Sequence, residues 1–291
     1  MIHQTVVTVH HQRMKPRIDI VKANLVPLIL LAAGFLSSCT SQSSTSARYL
    51  TAEKLWTEKK YEASVVEFDR IVKESPGSAL GVQALWRASM TRALFLNDFP
   101  EALRGLQSFI DQSAQSNLVL EAQKEIGEIL FNKTQQYPQA IDHYEKLIQS
   151  KKFPKEEGSF LYRISRANAA MGKIKRAIST EESILSKYPE GDLALKTKLD
   201  LAQNWFTIGD VEKQAYSKSL ELYKEVLDET RTRDRKKYLD AQFGMAIVLE
   251  EMDHLDEAVS IFNAIEPEYE VPNIVKIRIQ KIYDRSKRKK I

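Results

Sequence analysis

Few residues of this 291-residue chain have the types and spacing that catalysis or metal binding requires. Cys39 is the single cysteine, and only two of the five histidines, His143 and His254, follow it. These two lie far apart, and neither has a cysteine or a second ligand at the spacing of zinc sites. The sequence contains no glycine-rich phosphate-binding loop and no nucleophile elbow. It therefore predicts that the protein is not an enzyme and holds no metal or cofactor.

Neighbouring carboxylates are the remaining candidates for acid–base chemistry, as in Glu181-Glu182 and Glu250-Glu251. A glycosidase needs two carboxyl groups at a controlled separation around a sugar, and nothing in the sequence distinguishes one pair from the others. We expect such pairs to lie on solvated faces of charged helices. The imidazole of His143, in the stretch AIDHYEKL, is likewise predicted to face solvent.

The segment before Cys39 has the pattern of a secretory signal peptide. Four basic residues precede an apolar run at 25–36, and small residues follow it. The run is too short to span a membrane, which requires about 20 apolar residues. A signal peptide is therefore predicted over residues 1–38. Residues 1–13 fit no part of such a peptide, so we predict that translation starts at Met14.

The end of this segment, Leu36-Ser37-Ser38-Cys39, resembles the lipobox of bacterial lipoproteins. The resemblance implies cleavage before Cys39, a diacylglycerol on its thiol and acylation of the new amino group. Two or more acyl chains anchor a protein stably to a membrane. Because Thr40 stands where an aspartate would favour inner-membrane retention, the resemblance implies an outer-membrane lipoprotein facing the periplasm. Residues 39–46, rich in Ser and Thr, are predicted to form a flexible lipidated tether.

The distribution of charge excludes a protein that binds nucleic acid over a basic face. The formal net charge of the whole chain is +4. Basic residues are concentrated before Cys39 and after Pro272, so the body between them is acidic. We expect no nucleic-acid partner.

A small residue followed four and seven residues later by large apolar ones recurs six times. The first set is Ser64, Phe68 and Ile71. Glu181 interrupts the pattern in the fourth unit, where a large apolar residue is expected. The small residues that begin the units are Ser64, Ala102, Ala140, Ala177, Ser219 and Ala258. Each unit is predicted to form two amphipathic helices, which cannot bury their apolar stripes alone and must stack as a solenoid.

This pattern resembles the tetratricopeptide repeat, most clearly in GDLALKTKLDLAQNWFTIGD and DAQFGMAIVLEEMDHLDEAVSIFNAI. The resemblance implies an all-α solenoid of about six helix-turn-helix repeats over residues 47–271. Its steps of 37 to 42 residues exceed the family period of 34, so some helices or loops must be longer. Residues 272–291 are predicted to form a capping helix with a basic tail.

In tetratricopeptide proteins the first helix of each repeat lines a concave groove that binds partners. Among the positions carried over, Arg87 and Arg166 predict a partner with carboxylates or a free C-terminus, which arginine grips with paired hydrogen bonds. The full set is Tyr49, Glu53, Trp56, Arg87, Thr91, Lys124, Glu128, Phe131, Tyr162, Arg166, Gln203, Phe206, Phe243 and Glu250.

The lipobox and the repeats together resemble the outer-membrane barrel-assembly (BamD-like) lipoproteins. VKESPGSALGVQALWRAS and SKYPEGDLAL join repeats in the manner of that family. The resemblance implies a periplasm-facing scaffold that binds other envelope proteins or their peptide segments in an assembly machine. Two alternatives remain open: a pilotin-like lipoprotein for secretin assembly, and a cell-wall-associated factor whose basic tail contacts anionic polymer or lipid head groups.

Overall fold

The computed structural model describes residues 32–113, 116–212 and 214–289. Within these ranges the chain forms thirteen α-helices and no strand. The predicted start at Met14 and most of the predicted signal peptide lie outside the described residues. The helices are α1 (Ala32–Thr57), α2 (Tyr61–Glu74), α3 (Ala79–Thr91), α4 (Phe99–Gln112), α5 (Ser116–Glu128), α6 (Tyr137–Ser150), α7 (Glu157–Ala170), α8 (Ile174–Lys187), α9 (Asp192–Thr207), α10 (Ala215–Thr230), α11 (Arg235–Glu251), α12 (Leu255–Ile265) and α13 (Pro272–Lys289).

The first twelve helices form six hairpins that stack in chain order. Each helix packs mainly against the helices before and after it, from α1 to α13. This arrangement confirms the predicted all-α, tetratricopeptide-like solenoid with a closing helix. No described helix combines the length and the apolar character that crossing a membrane would require.

Small residues set the close approach of the two helices within a hairpin. Ser64, on α2, donates its hydroxyl hydrogen to the carbonyl of Ala52 on α1, with 2.9 Å between the oxygens. Ser219 makes the same bond to Ala202 at 2.7 Å. The four alanines that begin the other units are fully buried. The register read from the sequence is therefore confirmed.

Among the described residues, the turn inside each hairpin contains one residue with positive φ. In the second unit this residue is Asn97, and in the fourth it is Gly172. Asparagine and glycine tolerate this left-handed conformation better than other residues, and they are common where helices end. In the fifth unit the residue with positive φ is Gln214. It stands at the end of a longer turn, since α9 ends at Thr207 and α10 begins at Ala215. The full set is Lys59, Asn97, Gln135, Gly172, Gln214 and Asp253.

Two of the first helices end in a turn of wider, π-helical winding. The segment Arg92–Leu96 follows α3, and Ile129–Lys133 follows α5. A π-helical turn holds more residues than an α-helical turn. These turns lengthen the second and third units, in keeping with a period above 34.

The first helix differs from the tether predicted around Cys39. The backbone of residues 39–46 is helical and continuous with the rest of α1. The following turns of α1 are fixed on α2, where Tyr49 meets the Phe68 ring edge-on at 5.4 Å. Serine and threonine are only moderately unfavourable in helices, so the helix extends back through them.

The solenoid closes with α13, which packs against α12. Val275 and Ile282 are buried against the core cluster that contains Phe262 and Ile265. Basic side chains of α13 pair with acidic groups of the last hairpin: Arg278 reaches Glu250 at 3.3 Å, and Arg285 reaches Asp253 at 3.1 Å. Part of the basic character of this helix is therefore neutralised within the fold.

Candidate interaction groove

The first helices of the second, third and fourth units, together with Tyr144 of α6, surround a cleft of about 440 Å³. The cleft, here called the central cleft, has an aromatic and apolar floor and a charged rim. The floor residues are Trp86, Met90, Tyr144 and Phe160, and the rim residues are Glu121, Lys124, Glu125, Glu128, Ser159 and Arg163. Two of the predicted groove residues, Lys124 and Glu128, line it.

The floor of the central cleft is held by ring packing. Trp86 lies on Phe109 with 5.0 Å between ring centroids. The Tyr144 ring stacks on Phe160 at 5.6 Å. Gly127 leaves room for the Tyr144 ring, because a Cβ at residue 127 would lie 2.1 Å from the Tyr144 hydroxyl oxygen. Trp86 and Met90 remain half-buried, so apolar surface is left for a ligand to cover.

The rim carries three carboxylates and two cations. Lys124 pairs with Glu156 of the adjoining turn at 3.2 Å, and Arg163 approaches Glu128 at 3.6 Å. Glu125 makes no hydrogen bond or ion pair within the described residues. Its pKa is raised by burial and by the neighbouring Glu128 charge. The Lys133 charge opposes this rise in part. The central cleft thus contains one carboxylate that forms no direct ion pair among the described residues.

The predicted groove residues of the first two units lie together but bind one another. The Arg87 guanidinium makes two hydrogen bonds to the Glu53 carboxylate, at 2.6 and 2.7 Å. It also lies 4.4 Å from the centroid of the Trp56 ring. The Trp56 indole donates to the Thr91 hydroxyl at 3.1 Å. The sequence predicted that Arg87 binds a carboxylate of a partner, but its guanidinium already binds the Glu53 carboxylate of the same chain.

A second predicted pair, Tyr162 and Arg166, lies on α7 next to Asp200 of α9. Arg166 is exposed, and its Nε lies 3.9 Å from Oδ2 of Asp200. That oxygen is buried and accepts no hydrogen bond within the described residues. Burial raises the pKa of the Tyr162 hydroxyl, and the Asp200 charge raises it further. Arg166 is thus the more accessible of the two predicted arginines.

Several other predicted groove residues lie inside the solenoid. Thr91, Phe131 and Glu250 are buried, which is at odds with an exposed groove position. Thr91 accepts a hydrogen bond from the Trp56 indole, Phe131 lies 5.3 Å from the Tyr137 ring, and Glu250 pairs with Arg278 at 3.3 Å. These contacts with neighbouring elements explain their burial.

The remaining predicted positions lie in the last two units. Phe243 stacks on Tyr269 at 4.8 Å, and Phe206 lies 5.8 Å from the Tyr216 ring. Gln203 is exposed. The structure gives these positions no shared cleft with Lys124 and Glu128.

The carboxylate pairs are less exposed than predicted. Glu181 is fully buried and takes the place of the missing apolar residue. Its carboxylate accepts from the Ser165 hydroxyl at 2.5 Å and from the Asn204 amide at 2.9 and 3.0 Å. Burial is the main reason that its pKa rises to about 7. Glu250 is also buried, whereas Glu182 and Glu251 are exposed as expected.

His143 also departs from its predicted position. It is partly buried, with Nε2 2.9 Å from the Gln123 carbonyl, and burial lowers its pKa. In the described part of the chain no group of histidine, cysteine and carboxylate side chains could hold a metal ion.

Sequence reasoning missed the apolar floor and Glu125. One signal was available: Glu121, Glu125 and Glu128 follow at the i, i+4, i+7 spacing that places residues on one face of a helix. The floor could not be read in this way, since Trp86 and Phe160 come from helices more than seventy residues apart.

Comparison with known proteins supports the fold. No family model matches the sequence, and no curated protein matches it. A tetratricopeptide repeat protein from Parabacteroides merdae is 13% identical, with a TM-score of 0.59 over 84% of this chain and 89% of that one. PilW, a widely conserved type IV pilus biogenesis factor, is 12% identical, with a TM-score of 0.52 over 80% of this chain and 98% of that one. At this identity the likeness shows the solenoid fold alone.

Proposed function

We propose that this chain is an outer-membrane-anchored scaffold facing the periplasm, which holds a segment of another envelope protein in an assembly machine such as that for outer-membrane proteins. The observation that carries the interaction role is the central cleft, where three first helices leave an apolar floor open within a charged rim. Concave sites that combine apolar surface with convergent polar groups are typical of binding. The anchoring role rests on the lipobox resemblance at Cys39.

Occupation of the central cleft is tested by photo-crosslinking in cells. Ser159 lines the cleft and is exposed, so p-benzoylphenylalanine at this position is expected to crosslink the bound segment. The matched control places the same group at Ser183, an exposed position on the second helix α8. Equal crosslinking at both positions, or none at 159, would contradict the cleft as the binding site.

The anchor is tested by Cys39→Ser. Because the thiol is the proposed acceptor of the diacylglycerol, the variant is expected to lose all palmitate label and to remain a precursor with its signal peptide. Labelling with radioactive palmitate and membrane fractionation measure both effects. A variant that still carries label and fractionates with the outer membrane would refute the lipoprotein assignment.

A pilotin-like role is the second candidate, since it also requires a lipid-anchored repeat solenoid. PilW shares the fold and is described as a type IV pilus biogenesis factor; at 12% identity its role does not transfer. Deletion of the gene separates the two candidates. Loss of secretin multimers alone would favour the pilotin, whereas depletion of many outer-membrane proteins would favour general assembly.

A further inference from the structure

We propose that the central cleft takes an arginine or lysine side chain of the partner segment, with its alkyl stem on Trp86 and Met90 and its charged end at Glu125. This inference rests on the proposed scaffold function and names the chemistry that the scaffold recognises. It reverses the charge of the partner that Arg87 and Arg166 predicted from the sequence.

The charge balance of the rim supports a cationic ligand. Each rim cation has a carboxylate partner, Lys124 at Glu156 and Arg163 at Glu128. Glu125 forms no ion pair within the described residues, although it is half-buried. A partly desolvated carboxylate is stabilised by a cation that binds with it, because opposite charges attract more strongly where water is excluded. An incoming carboxylate would instead meet three acidic side chains.

The floor suits the body of a long basic side chain. Lysine and arginine lay their methylene stems along apolar surface and keep the charged end in polar surroundings. Half-buried Trp86 and Met90 provide that surface. An arginine guanidinium or a lysine ammonium over an indole ring gains further from the cation–π attraction.

The two arginines that predicted an acidic partner lie outside the central cleft. Arg87 is bound by Glu53 through both arms of its guanidinium. Arg166 approaches the buried carboxylate of Asp200, with 3.9 Å between Nε and Oδ2. Neither arginine is a lining residue of the cleft. The unpaired charge that faces the cleft is therefore negative.

Three short peptides test the charge of the ligand on the purified full chain. The probes are acetylated, amidated Leu-Arg-Leu, Leu-citrulline-Leu and Leu-Glu-Leu, in which citrulline keeps the shape of arginine without its charge. The Trp86 indole N–H signal, assigned with Trp86→Phe, reports binding in the cleft by nuclear magnetic resonance. We expect Leu-Arg-Leu to bind at least tenfold more tightly than the other two. Equal binding of the arginine and citrulline peptides, preference for the glutamate peptide, or no shift of Trp86 would overturn the proposal.

Glu125→Gln identifies the carboxylate responsible. We expect at least a tenfold loss of affinity for Leu-Arg-Leu and no change for Leu-citrulline-Leu. Glu221→Gln is the matched control, since Glu221 is exposed on α10 and is expected to change neither affinity. An unchanged affinity of Glu125→Gln for Leu-Arg-Leu would overturn the proposal.

Crosslinking at Ser159 in a Glu125→Lys background separates this inference from the scaffold function. Loss of the crosslink, with a lysine or arginine in the segment captured by the unaltered cleft, supports both. A crosslink that persists in Glu125→Lys would refute the proposal of a basic ligand, but it would not contradict the scaffold function. No crosslink in the unaltered chain would overturn the scaffold function itself.

Discussion

Between pH 4 and pH 8, Glu181→Gln is expected to gain about 3 kcal/mol of stability relative to the unaltered chain, and to be the more stable of the two at pH 8. Glu181 is fully buried between α7, α8 and α9, where its carboxylate accepts hydrogen bonds but meets no cation among the described residues. Burial raises its pKa from 4.5 to about 7, and the Asp200 and Glu182 charges add to the rise. A shift of this size corresponds to about 3 kcal/mol.

The sign of this pH dependence follows from the proton that Glu181 binds. Below about pH 4.5 the carboxyl group is protonated in both the folded and the unfolded chain. Between pH 4.5 and about 7 the folded chain keeps a proton that the unfolded chain releases. The free energy of unfolding therefore falls as pH rises through this window. Glutamine does not titrate, and it keeps one acceptor oxygen while losing the second hydrogen bond from Asn204. Its stability relative to the unaltered chain therefore rises over the same pH range.

Denaturant unfolding followed by circular dichroism at several pH values measures the effect. Glu221→Gln is the matched control, because Glu221 is exposed on α10 and its charge is not one of those that act on Glu181, so it should leave the pH dependence unchanged. Asp200 also has a raised pKa, from burial, so a smaller fall of the same sign is expected to remain in Glu181→Gln. If the pH dependence of Glu181→Gln equals that of the unaltered chain, the buried carboxylate is not its source.

The hairpins were predictable because their packing repeats along the sequence. Ala102 and Ala140 occupy equivalent contacts in successive units, and the same small residue is needed wherever two helices approach closely. Local spacing therefore carries the information. The interruption at Glu181 was visible too, but its burial was not, since its partners Ser165 and Asn204 lie on α7 and α9.

The candidate site was predictable only in part. The resemblance to tetratricopeptide repeats placed Lys124 and Glu128 on a first helix, and both line the central cleft. It could not show which charges cancel, because cancellation depends on pairs between repeats. Glu53 and Arg87 are 34 residues apart in the chain and bind across α1 and α3.

This pairing changes what a charge-reversal experiment at Arg87 measures. A solvated arginine could be reversed at little cost, since surface substitutions usually change stability by about 0.5 kcal/mol or less. Arg87 instead joins the first hairpin to the second through Glu53 and Trp56. Loss of a partner after reversal of Arg87 and Arg166 together would therefore not distinguish groove contacts from weakened stacking.

Arg87→Glu is accordingly expected to lower the free energy of unfolding by about 2 kcal/mol, which is less than the loss for a fully buried pair because both side chains are partly exposed. The substitution removes a two-bonded ion pair, places a carboxylate against Glu53 and ends the cation–π contact with Trp56. Breaking a partly buried pair leaves the other charge uncompensated, which is the costly part. Thermal and denaturant unfolding measure the loss.

The charge-swapped double variant, Glu53→Arg with Arg87→Glu, restores opposite charges across α1 and α3 and is expected to recover most of the stability. Arg176→Glu, at an exposed position of α8, is the matched control and should change the free energy of unfolding by about 0.5 kcal/mol or less. If Arg87→Glu is no more harmful than Arg176→Glu, the ion pair does not hold the first two hairpins together. If the swap recovers nothing, packing of the arginine stem, and not its charge, joins them.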